Sequence, residues 1–402
     1  MIPVSEAIRI IQEQTRPLAV ETVALAEALG RVLAEDVVAD SDLPPFDRAQ
    51  MDGYAVRAAD LKSVPARLRI VGESAAGRGW HHSMQAGEAV RIMTGAPVPV
   101  GADSVQKVEV THELDGDTVE IAEATRPGQF IVARASEIRA GEHVLSAGCE
   151  INAAMMAALA SFGYAQVKVG QRPRVAVLAT GTELVAVNEQ PGSDQIRDSN
   201  SYSLGAYAAL AGAEVERLPL AGDDPVMLKR EIERAASHAD ALILSGGVSM
   251  GVYDFTKAAL RALDAEIFFE RVSLRPGKPT VFARLGRTLV FGLPGNPVSV
   301  SVTFNLFART ALRAMQGSRE AAMREAWAVL ARNVKGSIER ASYLPARLYT
   351  DEAGQLLADP LKWGGSSDFI AFARATALII VPEGVLAYDE GTRVCIVRLP
   401  EV

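Results

Sequence analysis

The 402-residue sequence predicts a multidomain α/β protein whose centre is a doubly wound domain. Three observations carry this. At a prior of roughly 150 residues per domain, the length implies two to four cores. From about Arg172 to Met315, short β-rich apolar runs alternate with helical patterns, as in βαβ units. After about Glu325 the pattern changes to short alternating runs separated by Gly and Pro.

Taken in order, Met1 to Arg16 sets apolar residues at helical spacing around Glu6 and Glu13. It therefore lacks the basic and apolar regions of a secretory signal. A second helical stretch is expected at Glu21 to Ala34, and a third at Asn152 to Phe162. Between them, residues 49–141 read as a β-rich insertion of short strands with Val, Gly and Pro turns. Ile151 to Tyr164 is apolar but shorter than the roughly 20 residues that span a bilayer, so no transmembrane segment is expected.

In the central domain, strands are expected at Arg174 to Ala179, Glu214 to Pro219, Ala241 to Ser245, Glu266 to Ser273, Thr280 to Leu285 and Thr288 to Gly292. Helices are expected near Ser201 to Ala211, Pro225 to Ser237, Phe255 to Leu263 and Pro297 to Met315. The final region, with runs at Ala326 to Ala331, Tyr343 to Tyr349, Ala377 to Val381 and Arg393 to Leu399, reads as a small β-barrel or sandwich.

Composition narrows the function. A hydrophobic share of 49% with 22% charged residues is that of a soluble globular protein. The net charge of −8 argues against a broad nucleic-acid-binding or membrane-binding face. Cys149 and Cys395 are far apart and outside any C-x-x-C pair, so neither a disulfide framework nor a thiolate zinc site is signalled, and a reducing cytoplasm fits. An anionic ligand would need a local basic pocket.

Three loops follow expected strands: Thr180-Gly181-Thr182-Glu183-Leu184, Ser245-Gly246-Gly247-Val248-Ser249-Met250-Gly251 and Gly292-Leu293-Pro294-Gly295-Asn296-Pro297. Glycines there let backbone approach an anion, and following helix N-termini add favourable charge. Any one of them reads equally well as a tight strand-to-helix turn. Three together point to a ligand, because open α/β sheets bind at the carboxyl ends of their strands. None is a Walker A or a G-x-G-x-x-G loop, so ATPase and dehydrogenase readings lose support.

Arg271, Arg275 and Lys278 form a cation cluster with no acid among them, either an oxyanion site or a solvated strand end. Asp52, Asp223, Asp224 and Asp254 sit at turns beside Gly or Pro, or just after the second loop. They suit Mg²⁺, although Asp223 or Asp224 equally suits the cap of a helix starting at Pro225, and Asp254 the cap of its own. Arg91 to Pro97 and Gly364 to Phe369 combine hydroxyls with glycine and either line a cleft or turn the chain.

Six motifs in this order, Met51 to Ala55, Arg91 to Pro97, Thr180 to Leu184, Ser245 to Gly251, Arg275 to Pro279 and Gly292 to Ser299, resemble the molybdopterin molybdenumtransferase family, which includes the gephyrin E domain. The resemblance covers essentially the whole chain. It implies an elongated region (1–48 and 142–171), the β-rich insertion (49–141), a molybdopterin-binding α/β domain (172–324) and a C-terminal β-barrel (325–402).

It also implies a homodimer with its cleft between subunits, and a Mg-dependent reaction that inserts molybdate into adenylylated molybdopterin and releases AMP. By residue, the resemblance places Asp52 and Thr94 on the insertion side, and Glu183, Asp223, Asp254, Arg271, Arg275 and Ser366 opposite. By the same resemblance Gly246, Gly247, Ser249, Pro294, Asn296 and Pro297 would shape a pterin-phosphate pocket, with Lys278 close by.

Catalytic roles are expected for Asp52, Glu137, Asp223 and Asp254, and Mg²⁺ ligation for Glu183, Asp223 and Asp254. The sequence departs from the family at Glu137, where many members carry aspartate, and at Arg271 and Arg275, often lysine, where a planar fork replaces a point donor. A non-catalytic pterin-binding scaffold and a tungstate-inserting homologue are the alternatives. An upstream adenylyltransferase and molybdoenzyme acceptors are the partners expected.

Overall fold

A computed structural model describes residues 1–222, 224–247 and 255–400. The chain divides into two compact units, residues 1–35, 147–156 and 166–402 in one, residues 36–146 and 157–165 in the other.

The smaller unit is organised by a six-stranded sheet containing Gly53–Val56, Ala66–Ser74, Glu88–Ile92, Ser104–Lys107, Thr111–Glu113 and Thr118–Ile121. Alternation sorts its side chains. Ala55, Val90 and Ile92 pack with Ala49 and Val105, whereas Tyr54, Val56 and Ala89 pack with Leu68, Val119 and Ile121.

The larger unit contains the central α/β domain. Its elements are β1 (Arg174–Ala179), α1 (Asn200–Leu210), β2 (Glu214–Arg217), α2 (Pro225–Ala236), β3 (Ala241–Ser245), α3 (Phe255–Ala262), β4 (Glu266–Phe269), β5 (Val281–Leu285), β6 (Thr288–Leu293) and α4 (Pro297–Thr303). The sheet order is β2-β1-β3-β6-β5-β4.

Both faces are covered, which is why the strands read as continuous apolar runs. Val175, Val177, Ile243 and Phe291 face α1, α4 and the amino-terminal helix Val4–Gln14. Ala176, Leu178, Leu242 and Leu244 face α2 and α3 through Leu228, Ile232 and Leu260. A buried residue of this size contributes about 1.5–3 kcal/mol. Beyond α4 the helical path continues through a π turn at Phe304–Ala308 into Arg309–Met315.

Two expectations, the helix at residues 21–34 and the extent of β4, are corrected. Residues 21–34 do not form a helix. Val20–Ala24 is a strand paired antiparallel with Gln166–Gly170, as its β-branched Val20, Thr22 and Val23 favour. A single 3₁₀ turn, Leu25–Glu27, follows, and Gly30 has φ +74°. The central sheet is not wholly parallel. Only Gly286 and Arg287 separate β5 from β6, so the two form an antiparallel hairpin, and β4 pairs antiparallel on its far side. Strand β4 also stops at Phe269, short of Ser273.

The carboxyl-terminal strands β7 (Glu325–Leu330), β8 (Ala341–Thr350), β9 (Leu356–Pro360), β10 (Ala377–Val381) and β11 (Arg393–Arg398) close into a barrel in the order β8-β9-β7-β11-β10-β8. Leu330, Leu344, Ala358, Ile379 and Ile396 fill it. Strand β9 was not anticipated, because Leu-Leu-Ala-Asp-Pro carries little β signal. The pair Leu274–Arg275 lies parallel to β8, with Arg275 opposite Ser342, so the segment between β4 and β5 joins the barrel's sheet. Among the described residues, no helix is long and apolar enough to cross a membrane.

Candidate active site

From β1 the chain runs by α1 to β2 on one side; from β3 it runs towards β4, β5 and β6 on the other. The switch point therefore lies between the carboxyl ends of β1 and β3, where an open sheet has its crevice. A cleft of about 940 Å³ opens there, lined by Thr180, Gly181, Glu183, Asn200, Ser245 to Gly247 and Pro294 to Pro297.

The three glycine loops interlock. Thr180 N–H donates to the Ser245 carbonyl at 2.9 Å and Gly246 N–H to the Leu293 carbonyl at 3.2 Å. A Cβ on Gly246 (φ +96°) would stand 2.4 Å from the Thr180 carbonyl oxygen, and one on Gly247 (φ +64°) 2.6 Å from Thr256 Oγ1. Glycine is required at both. At Gly295 the nearest atom to an added Cβ is 3.7 Å away, so space does not require glycine there. Gly181 N–H is bonded to the Ala221 carbonyl, and Val298 N–H, in the first turn of α4, to the Ser366 carbonyl. The N–H groups of Gly181, Gly246 and Val298 are thus spent on the fold; what the glycines supply is close approach.

A second cleft of about 670 Å³ lies between the α/β domain and the barrel. Among the described residues its lining holds four cations, Arg275 and Lys278 from the α/β domain and Lys335 and Arg340 from the barrel, with no Asp or Glu. Arg275 Nη1 donates to the Gly336 carbonyl at 3.1 Å. Among the described residues Arg340 Nε is buried without a hydrogen-bond partner, as are the Nε atoms of Arg31, Arg48, Arg284 and Arg313. Gly277 shapes the turn between Arg275 and Lys278: its φ is +121°, and a Cβ would meet Thr303 Cγ2 at 2.5 Å.

Pro279, Pro294 and Asn296 line both clefts. Ser366, in the cationic cleft, accepts from Asn296 Nδ2 at 2.8 Å. Its neighbour Ser367 lines the glycine cleft. Asp368 folds this barrel loop by accepting from Gly364 and Ala371 N–H, and those donors hold its carboxyl below the usual carboxylate range.

The expected residues separate as follows. Glu183, Gly246, Gly247 and Pro297 meet in the glycine cleft, Arg275, Lys278 and Ser366 in the cationic one, and Pro294 and Asn296 line both. Arg271 is exposed and lines neither; its carbonyl accepts from Ile2 N–H. In the smaller unit, Asp52 accepts from Thr94 N–H at 2.6 Å and Thr94 Oγ1 at 2.7 Å, which lowers its pKa. Gly53 makes the adjoining approach possible, since a Cβ there would lie 2.0 Å from the Gln106 carbonyl oxygen. Glu137 pairs with Arg48 at 3.1 Å.

Asp223, Ser249 and Asp254 lie outside the described residues. Asp224 is the cap of α2, accepting from Val226 and Met227 N–H. Among the described residues no three His, Cys, Asp or Glu side chains gather as a metal site. Of the two carboxylates that line the glycine cleft among the described residues, Asp198 is buried and accepts from Ser201, and Glu183 is exposed. Among the described residues the glycine cleft thus offers a cation one open carboxylate, that of Glu183.

Sequence reasoning missed Lys335, Arg340, Asn200 and Asp198. The first two look like solvated cations on either side of Gly336, and only the β8 pairing with Leu274–Arg275 brings them to Arg275.

The family models described as "MoeA N-terminal region (domain I and II)", "Probable molybdopterin binding domain" and "MoeA C-terminal region (domain IV)" match residues 2–163, 176–314 and 327–399. A molybdopterin molybdenumtransferase of Staphylococcus aureus is 35% identical over 400 residues, covering 98% of this chain and 95% of the relative. That of Bacillus subtilis is 34% identical over 407 residues, covering 100% and 94%. The chain belongs to the molybdopterin molybdenumtransferase family. A solved molybdopterin biosynthesis moeA protein from Pyrococcus horikoshii has a TM-score of 0.84 at 28% identity, over 99% of this chain and 100% of that one. A transferase acting in molybdenum cofactor biosynthesis follows from that membership.

Proposed function

We propose that the chain inserts molybdate into adenylylated molybdopterin and releases AMP. One observation carries this reading: two clefts share the Pro294–Asn296 loop, one with close-approach glycines, the other with four cations and no acid among the described residues. The glycine cleft takes the phosphorylated pterin. The cationic cleft takes the oxyanion, with Arg275 and Arg340 donating to its oxygens as planar forks and Lys278 and Lys335 as point charges. Asn296 and Ser366 stand between the two ligands.

Mg²⁺ is part of the proposal, held by Glu183 with Asp223 and Asp254; it would neutralise charge at the phosphoanhydride. Asp52, Thr94 and Glu137 would act from the second copy of a homodimer. The four-domain division, handover of product to molybdoenzymes, contact with an adenylyltransferase and a cytoplasmic location belong to the same reading.

The test is AMP release from adenylylated molybdopterin and Mg²⁺, with and without molybdate, by the native chain and by Arg340→Ala. Molybdate-stimulated release in the native chain, reduced at low molybdate and partly restored at high molybdate in the variant, is the expected result. Tight pterin binding without release in either would replace turnover by a binding role.

A further inference from the structure

Asn200 lines the glycine cleft and has no role in the account above. Its Nδ2 donates to Ser245 Oγ at 2.9 Å and to the Gly295 carbonyl at 2.7 Å. Ser245 ends β3 and leads into Gly246 and Gly247; Gly295 lies in the loop after β6; Asn200 opens α1. One amide therefore ties two ligand loops from a third element.

Its orientation is forced, because a carbonyl only accepts and the NH₂ must face Gly295. Among the described residues Oδ1 is left buried with no hydrogen-bond partner, an unfavourable state for an amide oxygen. Behind it, Asp198 is 5% exposed and accepts from Ser201 N–H at 3.0 Å. Asp198 N–H donates to the Val185 carbonyl at 3.0 Å, fixing the chain that enters α1. The contacts Asn200 makes serve the spacing of the loops, while its own acceptor goes unsatisfied.

We propose that Asn200 is a positioning residue of this cleft: it sets the separation between the Gly246–Gly247 loop and the Pro294–Asn296 loop, and so the fit of a phosphate-bearing ligand between them. The inference rests on the reading that the cleft takes the phosphorylated pterin. A residue serving stability alone would behave differently. In Asn200→Ala two hydrogen bonds are lost and an orphaned acceptor leaves with them, so stability changes little while affinity falls.

The experiment uses the full chain, measuring retention of molybdopterin on ultrafiltration beside the thermal midpoint. Asn200→Ala is expected to bind about tenfold more weakly with a midpoint within about 3 °C of native. Asn200→Asp, which keeps the shape but not the N–H donors, should bind at least as weakly. Ser245→Ala, removing one end of the tie, should weaken binding less and add little to Asn200→Ala. Native-like binding by Asn200→Ala, or full additivity with Ser245→Ala, overturns the proposal while leaving the pterin reading intact. A native chain that retains no molybdopterin overturns both.

Discussion

The two clefts of the larger unit share a loop and are built by opposite means. The glycine cleft is made of backbone: its shape comes from chain paths that a side chain would block at Gly246 and Gly247. The cationic cleft is made of side chains from two domains, gathered because Leu274–Arg275 pairs with β8. The first should tolerate almost no change in its floor. The second should tolerate single changes structurally and respond in affinity.

The sharpest way to break that comparison is Gly246→Ala. With φ at +96° and a carbonyl oxygen 2.4 Å from the new Cβ, it should lose more than about 3 kcal/mol of stability in urea unfolding. Gly295→Ala, with 3.7 Å of room, should stay within about 0.5 kcal/mol. Equal losses would mean that close packing does not define this cleft.

Next in size is Arg340→Ala. It removes one of the four cations that line the cleft, so molybdate affinity by calorimetry should fall tenfold to about a hundredfold while thermal stability holds. A collapse in stability would make Arg340 a structural residue. Ser366→Ala, which loses the Asn296 bond between the clefts, should cost about 1 kcal/mol and weaken pterin and oxyanion binding together. Weakening of one alone would show the clefts to be independent.

The smallest effect concerns pH. Backbone donors hold the Asp368 carboxyl below its ordinary value of 3.8. Its ordering of the barrel loop is therefore complete above that value and lost as pH falls through the depressed one. Trp363 fluorescence, with Trp80 and Trp327 replaced by Phe, should change below about pH 4 in the native loop and stay level in Asp368→Asn.

The same contrast explains what could be read from the sequence. Glycines within two residues of the ends of β1, β3 and β6 are local signals, and so is the apolar alternation that marks the barrel strands. Arg275 and Lys278 were legible as a pair because they are neighbours. Lys335 and Arg340 were not, since nothing local separates them from the solvated cations that precede many strands. Asn200 hid for a similar reason: at a helix start an Asn reads as a cap, and its partners Ser245 and Gly295 are remote in sequence. The false helix at 21–34 shows how apolar spacing misleads when a strand partner, Gln166–Gly170, lies far along the chain.

The short pairing of Leu274–Arg275 with the barrel also bears on how this chain can be cut and recombined. A fragment ending near residue 324 would keep Arg275 but lose the strand that aims it, and a fragment starting there would carry Lys335 and Arg340 towards nothing. The cationic cleft is thus a property of a seam rather than of either module, and gene fusions or truncations that cut near residue 324 would still erase it.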